Sequence, residues 1–156
     1  MKAGTEIRVR SLTAADLSQV TEIGMNLTEA PHWPRGAYEA VLDPASPKRL
    51  ALVAEDSATG MLVGFVVVGV LAPQAELESI AVAAGEQQRG IGRRLLSAMV
   101  EELKAAGVHE FLLEVRASNQ RALDFYRSLG WSETGRRPCY YADPEEDAVL
   151  MSLALK

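Results

Sequence analysis

The stretch QQRGIGRRLL (87–96) has two glycines two residues apart, directly before a run with helical character. Three arginines, Arg89, Arg93 and Arg94, lie at the start of that run. Cations are disfavoured there, because the first backbone N–H groups of a helix already make its end positive. A multiply charged anion would explain them, since glycines let a ligand approach the backbone closely. The stretch therefore predicts an anion site, and a glycine turn with solvated arginines remains the alternative.

Two common phosphate loops do not match this stretch. No Gly-Lys-Ser/Thr sequence follows, as a Walker motif requires. Gly-Ile-Gly is followed by Arg-Arg-Leu, so the third glycine of a dinucleotide fingerprint is missing. The pattern thus favours a phosphate loop of another kind.

Hydrophobic periodicity predicts the elements around the loop. A helix over about 91–106 has an apolar face and ends before Gly107. The other predicted helices cover residues 11–27, 36–42 and 119–129. The predicted strands cover residues 6–10, 50–55, 62–71, 75–82, 110–115, 131–135 and 147–155. Short turns predict that the second to fourth strands form an antiparallel meander. This order predicts an α/β (α+β) fold, with a mixed central sheet of about seven strands and helices on both faces.

Length and composition indicate one globular domain over 1–156. Hydrophobic residues make up 48% of the chain and charged residues 24%, and the formal net charge is -5. That charge argues against a nucleic-acid partner and favours a cationic substrate. The single cysteine excludes an internal disulfide. No signal-peptide core and no run long enough for a membrane helix are visible, so we expect a soluble, cytoplasmic protein without a membrane partner.

A second informative segment is EVRASNQRALDFYRSLGW (114–131). Strand alternation puts Glu114 on the face opposite the apolar residues Phe111, Leu113 and Val115. A carboxylate within an otherwise apolar strand either faces water or has a function. In the following helix, Asn119 and Tyr126 lie on one face about 10 Å apart. Ser118 is a candidate N-cap residue.

Together these segments resemble the GNAT superfamily of acetyl-CoA-dependent N-acetyltransferases. Its Gln/Arg-x-x-Gly-x-Gly/Ala signature is matched by Gln87, Gly90 and Gly92, between the strand ESIAVA and the helix IGRRLL. The resemblance implies acetyl-CoA as cosubstrate, no metal, and a CoA pyrophosphate held by the loop residues Gln88, Arg89, Gly90, Ile91, Gly92 and Arg93. It also implies that backbone groups of Ile80, Ala81 and Val82 pair with the pantetheine arm.

One departure lies just before the loop. Many members carry Asp-Pro-x-Tyr where this chain has AAGE (83–86). The departure puts the carboxylate of Glu86 near the expected phosphates.

Residues 114–131 and YYADPEEDAVLM (140–151) are similar to one branch of the superfamily, the bacterial ribosomal-protein-alanine N-acetyltransferases. By matching position, the resemblance implies that Glu114 is the general base, Tyr126 the general acid and Asn119 a CoA contact. It further implies a basic protein N-terminus as acceptor, in particular an alanine-starting small-subunit ribosomal protein. Glu78 is a rival base, since some other branches place theirs on the strand before the pyrophosphate loop.

The chemistry fits an α-amine acceptor. A peptide α-amine with a pKa of about 7.7–8.0 is roughly 10–17% neutral at pH 7, against well under 0.1% for a lysine. A carboxylate, acting directly or through a water, therefore suffices as base. Full proton transfer from an unperturbed tyrosine to a thiolate is uphill by about 2 kcal/mol, so Tyr126 is either tuned or stabilises mainly by hydrogen bonding.

Two other functions are kept as alternatives. The acidic charge would also suit a small-molecule amine such as a polyamine or an aminoglycoside, and a non-catalytic acetyl-CoA-binding module is the second. We expect acceptor choice in the loop 28–48, which contains His32, and in RRPCYY (136–141), where Tyr140 or Tyr141 would flank the acceptor. His109 is expected to be incidental. Cys139 has no recognisable base nearby and is not expected to be a nucleophile.

Overall fold

A mixed sheet of seven strands organises the computed structural model, which describes residues 6–25, 35–45, 48–86, 89–142 and 145–156. The strands are β1 (Ile7–Ser11), β2 (Arg49–Asp56), β3 (Leu62–Leu71), β4 (Gln74–Val82), β5 (Glu110–Arg116), β6 (Ser132–Tyr141) and β7 (Glu146–Ala154). The helices are α1 (Leu17–Met25), α2 (Arg35–Val41), α3 (Ile91–Ala105) and α4 (Gln120–Ser128), and a 3-10 turn (Ala14–Asp16) precedes α1. Within these ranges no helix is long and apolar enough to cross a membrane.

Strand pairing makes the sheet mixed, in the order β1-β2-β3-β4-β5-β7-β6. The first four strands form an antiparallel meander, as predicted. β4 and β5 are parallel and are connected through α3, whereas β7 pairs antiparallel with both β5 and β6. The predicted fold class is confirmed.

Side chains from the two faces of the sheet enter two separate cores. Along β3, Val66 and Val68 pack with α3 and α4, while Phe65 and Val67 pack with α1 and α2. The run LVGFVVV is buried on both faces, which explains why it reads as continuously apolar rather than alternating. Helices therefore cover both faces of the sheet, as the sequence predicts.

Close docking of α3 depends on Gly64 in β3. A Cβ at this position would stand 2.9 Å from the Ala81 carbonyl oxygen and 3.2 Å from Ile91 Cγ2. The predicted apolar face of α3 is confirmed, with five buried residues: Ile91, Leu95, Leu96, Met99 and Leu103. The missing side chain at Gly64 lets the first turns of this face lie directly on β3.

The sheet opens between β4 and β5. The two strands pair only from Gln74–Glu76 against Glu110–Leu112, yet β4 continues to Val82 and β5 to Arg116. A β-bulge lies in β4 at the same level, because Val67 and Val68 pair with Ser79 and Leu77 and leave Glu78 as the extra residue. Bulges bend and twist a strand, which fits the divergence of β4 from β5.

Some element boundaries differ from those predicted. β6 covers Ser132–Tyr141 rather than 131–135, because as an edge strand it is exposed at nearly every position and shows no alternation. The N-cap of α4 is Asn119, not Ser118 as predicted. The first helix is preceded by a capped 3-10 turn rather than starting at 11, and its predicted end at 26–27 lies outside the described residues.

Candidate active site

The opening between β4 and β5 is bordered by four of the predicted site residues, Ile80, Ala81 and Val82 on β4 and Glu114 on β5. On its β4 side, Ile80, Ala81 and Val82 pair with β3 at Val66, Phe65 and Gly64. Their edge toward β5 lies beyond the last β4–β5 pair, at Glu76 and Leu112. Backbone groups along a strand edge of this kind are able to pair with an extended ligand arm.

The start of α3 lies at the end of β4, where the anion site is predicted. Gly90 is the N-cap, in the left-handed conformation (φ 75°, ψ 14°), and as a glycine it provides no capping side chain. The first turn contains no acidic residue, and both Arg93 and Arg94 are exposed. Helix-start N–H groups without a side-chain cap favour an anion. Gln87 and Gln88 lie outside the described residues.

Gly92 has a second, steric reason to be glycine. A Cβ on it would come 3.3 Å from Cζ of Phe125, so α4 approaches the start of α3 closely. Arg89, predicted to neutralise phosphate, forms an ion pair with Glu86. The carboxylate that departs from the family pattern is therefore balanced by a loop arginine.

Glu114 lies on β5 where the two strands diverge. The predicted faces of β5 are confirmed, because Phe111, Leu113 and Val115 are buried and Glu114 is on the opposite face. Its side chain is only 19% exposed, and Oε2 accepts no hydrogen bond from the described residues. Arg137 Nε lies 3.5 Å from this oxygen. The Glu114 side chain is thus neither on a solvated strand face nor in a fully satisfied ion pair.

Two further carboxylates lie near Glu114. Burial raises the pKa of Glu76, repulsion from Glu114 and then Glu78 raises it further, and only Arg137 opposes the shift. Glu78 is held by Arg49, with 2.6 Å between Nε and Oε1. Glu78 therefore has a short charge-assisted hydrogen bond, which the Oε2 atom of Glu114 lacks. No group of three or more His, Cys, Asp or Glu side chains in the described parts of the chain is arranged to hold a metal.

Tyr126 lies in α4 with its ring in the core beside Phe125 and Trp131. Its exposed fraction is 7%, and burial raises the pKa of its hydroxyl. The hydroxyl therefore keeps its proton at any ordinary pH. Asn119, the predicted CoA contact, caps α4 by accepting a hydrogen bond of 3.1 Å from the Ala122 N–H.

The β6–β7 hairpin adds aromatic and cationic groups near Glu114. The guanidinium of Arg137 lies 5.4 Å from the ring centre of Tyr140, and that of Arg116 of β5 lies 4.4 Å from the ring centre of Tyr141. Burial raises the pKa of Tyr141, and Glu114 raises it further. Arg137 is the residue that sequence reasoning missed, since its partner on β5 becomes evident only from the pairing of three strands.

The remaining candidates make structural contacts or lie outside the described residues. Cys139 is exposed in a left-handed conformation (φ 52°), and its N–H donates to Asp147 Oδ1 at 3.0 Å. The backbone of His109 bonds to Pro73 and Leu155, which connects strand ends. His32 and part of the predicted acceptor loop (28–34 and 46–47) lie outside the described residues.

The model of the acetyltransferase (GNAT) family matches residues 17–131. The chain belongs to the acetyltransferase (GNAT) family. The predicted resemblance is confirmed, as is, at the level of the family, the expectation of an acetyltransferase.

Individual relatives indicate a narrower group within this family. The chain is 41% identical over 98 residues to the ribosomal protein bS18-alanine N-acetyltransferase of Escherichia coli, a match that spans 62% of this chain and 66% of that protein. It is 34% identical to the N-alpha-acetyltransferase RimI of Mycobacterium tuberculosis, over 97% of this chain and 95% of the relative. The crystal structure of the Escherichia coli ribosomal-protein-S18-alanine N-acetyltransferase is 31% identical and superposes with a TM-score of 0.83, covering 97% of this chain and 95% of that one.

Proposed function

We propose that this chain transfers the acetyl group of acetyl-CoA to the N-terminal α-amine of a protein, in particular an alanine-starting small-subunit ribosomal protein. The observation that carries the proposal is Glu114, a largely buried carboxylate with an unbonded oxygen at the point where β4 and β5 separate. The names of the relatives support the class of acceptor. A ribosomal-protein acceptor would place the reaction in the cytoplasm.

The opening supports acetyl-CoA as the cosubstrate. The uncapped start of α3 would hold the pyrophosphate through the N–H groups of residues 88–93, with the charges of Arg89 and Arg93 beside it. The β4 edge at Ile80, Ala81 and Val82 would hold the pantetheine arm, which directs the thioester toward Glu114. Asn119 would make a further CoA contact at the start of α4.

Glu114 acts as the general base in this proposal. The neutral amine attacks the thioester carbonyl directly, its proton passes to the carboxylate of Glu114, and no covalent enzyme intermediate is needed. Glu78 is a poorer candidate, because both of its carboxylate oxygens already accept hydrogen bonds from Arg49.

Tyr126 assists departure of the thiolate. The burial that raises its pKa makes complete proton transfer to sulfur more costly than between unperturbed groups. A hydrogen bond from its hydroxyl to the developing thiolate is therefore the favoured role, of the kind that stabilises negative charge in a water-poor site.

Acetylation of defined amines tests the proposal. The protein is incubated with acetyl-CoA and a short basic peptide that begins with alanine and contains one lysine, and mass spectrometry locates the acetyl group. We expect acetylation of the α-amine alone, and no product from the same peptide with a blocked N-terminus. A polyamine runs in parallel, and product from the polyamine alone would support the small-molecule alternative. Acetyl-CoA binding without turnover of any amine would support the non-catalytic alternative.

A further inference from the structure

Arg137 reaches the candidate base from two strands away. It lies on β6 opposite Ala148 of β7, and the same Ala148 lies opposite Arg116 of β5. Neighbouring β7 residues Val149 and Met151 enter the core on the α3 side, so Ala148 faces the other side of the sheet, together with Glu114. The small side chain of Ala148 leaves room for the guanidinium to cross β7.

The local backbone directs Arg137 to this place. Regular β6–β7 pairing stops at Arg137 and resumes only at Tyr141. Pro138 has no N–H, and the N–H of Cys139 bonds to the side chain of Asp147 instead of a strand partner. Bulges of this kind change the direction of a side chain and are frequent beside active sites. Tyr140, at the far end of the bulge, contacts the Arg137 guanidinium with its ring face.

The charges around Glu114 are nearly, but not fully, balanced by arginines. Arg137 faces Glu114 and Arg49 faces Glu78, while Glu76 has no ion pair among the described contacts. The groups that face this region from β2, β4, β5 and the β6–β7 hairpin are Arg49, Glu76, Glu78, Glu114, Arg116, Arg137, Tyr140, Tyr141 and Glu146.

We propose that Arg137 determines which amines the site accepts, by keeping a fixed positive charge beside the candidate base. The inference rests on the proposed function. An amine that gives its proton to Glu114 must lie within hydrogen-bond reach of it, and hence within a few ångströms of Arg137. A like charge at that distance disfavours the ammonium form of the amine and lowers its pKa in the complex.

This charge separates the two classes of amine. An α-amine, with a pKa near neutrality, becomes reactive at small cost. A lysine side chain or a polyamine remains cationic, gains less from Glu78 and Glu114, which Arg49 and Arg137 already face, and meets repulsion from Arg137. The carboxylates of Glu76, Glu78 and Glu114 alone would favour the cationic amines. Arg137 reverses this preference of the site.

The test compares Arg137→Gln with Arg137→Lys and with a matched control, Arg136→Gln. Arg136 is the neighbouring β6 arginine, is similarly exposed, faces the α3 side through its partner Val149, and pairs with Glu133. For each protein, KM is measured with an alanine-starting peptide without lysine, with an N-terminally blocked lysine peptide, and with spermidine, and an inhibition constant against the alanine-starting peptide replaces KM for an amine that is not acetylated. We expect Arg137→Gln to lower the preference for the α-amine, expressed as the ratio of these constants, by up to about tenfold, the effect of one pKa unit. Arg137→Lys and Arg136→Gln should keep the preference.

A pH profile separates this role from a structural one. In Arg137→Gln the acid limb of the pH profile of kcat, measured with the α-amine peptide, should move to higher pH. The reason is that the bound amine loses a cationic neighbour, so its pKa rises. Thermal melting checks that each variant is folded, and if Arg137→Gln is not, Arg137→Met replaces it.

The outcomes distinguish the two proposals. If the unmodified protein acetylates the α-amine but Arg137→Gln keeps both its preference and its pH profile, the role of Arg137 is refuted and the proposed function stands. If the unmodified protein acetylates only spermidine or the lysine, both proposals are wrong.

Discussion

Glu114 and Glu78 are both glutamates near the opening between β4 and β5, but their surroundings differ. Glu78 has a 2.6 Å contact to Arg49, while Oε2 of Glu114 accepts no hydrogen bond from the described residues. We expect Glu114→Gln to lower kcat by about 10²–10⁴, because an amide cannot accept the proton of the amine. Steady-state kinetics should give an unchanged KM for acetyl-CoA, since the substitution alters neither the loop before α3 nor the β4 edge.

Glu78→Gln is the matched comparison at the residue scale. Because Glu78 already pairs with Arg49, this change should alter kcat by less than about tenfold and act mainly on stability, with an effect of about 1 kcal/mol for a partly buried ion pair whose side chains are 24% and 26% exposed. A large loss of kcat in Glu78→Gln, with a small one in Glu114→Gln, would assign the base to Glu78.

At the scale of the element, α3 has a left-handed glycine at each end. Gly90 (φ 75°) precedes its first turn and Gly107 (φ 82°) follows its last, and a Cβ at either position would meet no atom of the described residues within 4 Å. Alanine at either position should therefore cost a similar backbone strain, about 1–2 kcal/mol, measured by denaturant unfolding.

Only the Gly90→Ala change should affect the cosubstrate. Relaxation of a strained residue at the helix start would turn the first N–H groups away from the pyrophosphate, so the KM for acetyl-CoA should rise by about tenfold, equal to about 1.4 kcal/mol. Gly107→Ala should leave this KM unchanged. An equal rise in both variants would mean that α3 stability, and not an anion site, sets the affinity.

At the scale of the whole molecule, a polar network connects the first strand to the rest of the sheet. Arg10 of β1 donates to both carboxylate oxygens of Asp16 at 2.8 and 2.9 Å, and to Glu55 of β2 at 3.1 Å. Asp16 also accepts the N–H and hydroxyl of Thr13, which closes the turn before α1. Asp16 is 4% exposed, so its charge depends on these partners.

We expect Asp16→Asn to lower the free energy of unfolding by about 3 kcal/mol at neutral pH, because it leaves a guanidinium without its main partner. The bond from Arg10 lowers the pKa of Asp16 below its usual 3.8. A carboxyl whose pKa is lower in the folded state stabilises the fold above its unfolded pKa and loses that effect as the pH falls through the folded value. The difference between the two proteins, measured by urea unfolding, should therefore shrink below about pH 5.

Asp124→Asn is the control for the network. Asp124 is an exposed residue of α4 whose partner Arg127 lies 3.8 Å away, so its loss should change stability by less than about 1 kcal/mol. A constant difference between Asp16→Asn and the unmodified protein from pH 7 to pH 3 would contradict the assigned role of the charge.

The sequence by itself determined the elements and the class of chemistry. Periodicity is a local property, so the buried face of α3, the alternation of β5 and the meander of β2 to β4 were all predictable. The GNAT signature was readable for the same reason, since its glycines and the flanking strand and helix are contiguous in the chain. β6 was predicted too short because an edge strand exposed on both faces has no apolar pattern.

Only the tertiary structure decided which charges meet. The divergence of β4 from β5, the bulge at Glu78 and the path of Arg137 over Ala148 depend on strand register, and residues 23 positions apart in the chain carry no local signal of their contact. Burial, too, is a property of packing, and it is burial that raises the pKa values of Glu76 and Tyr126. The residue types were therefore readable from the sequence, whereas their protonation and partners follow from a fold that brings distant strands together.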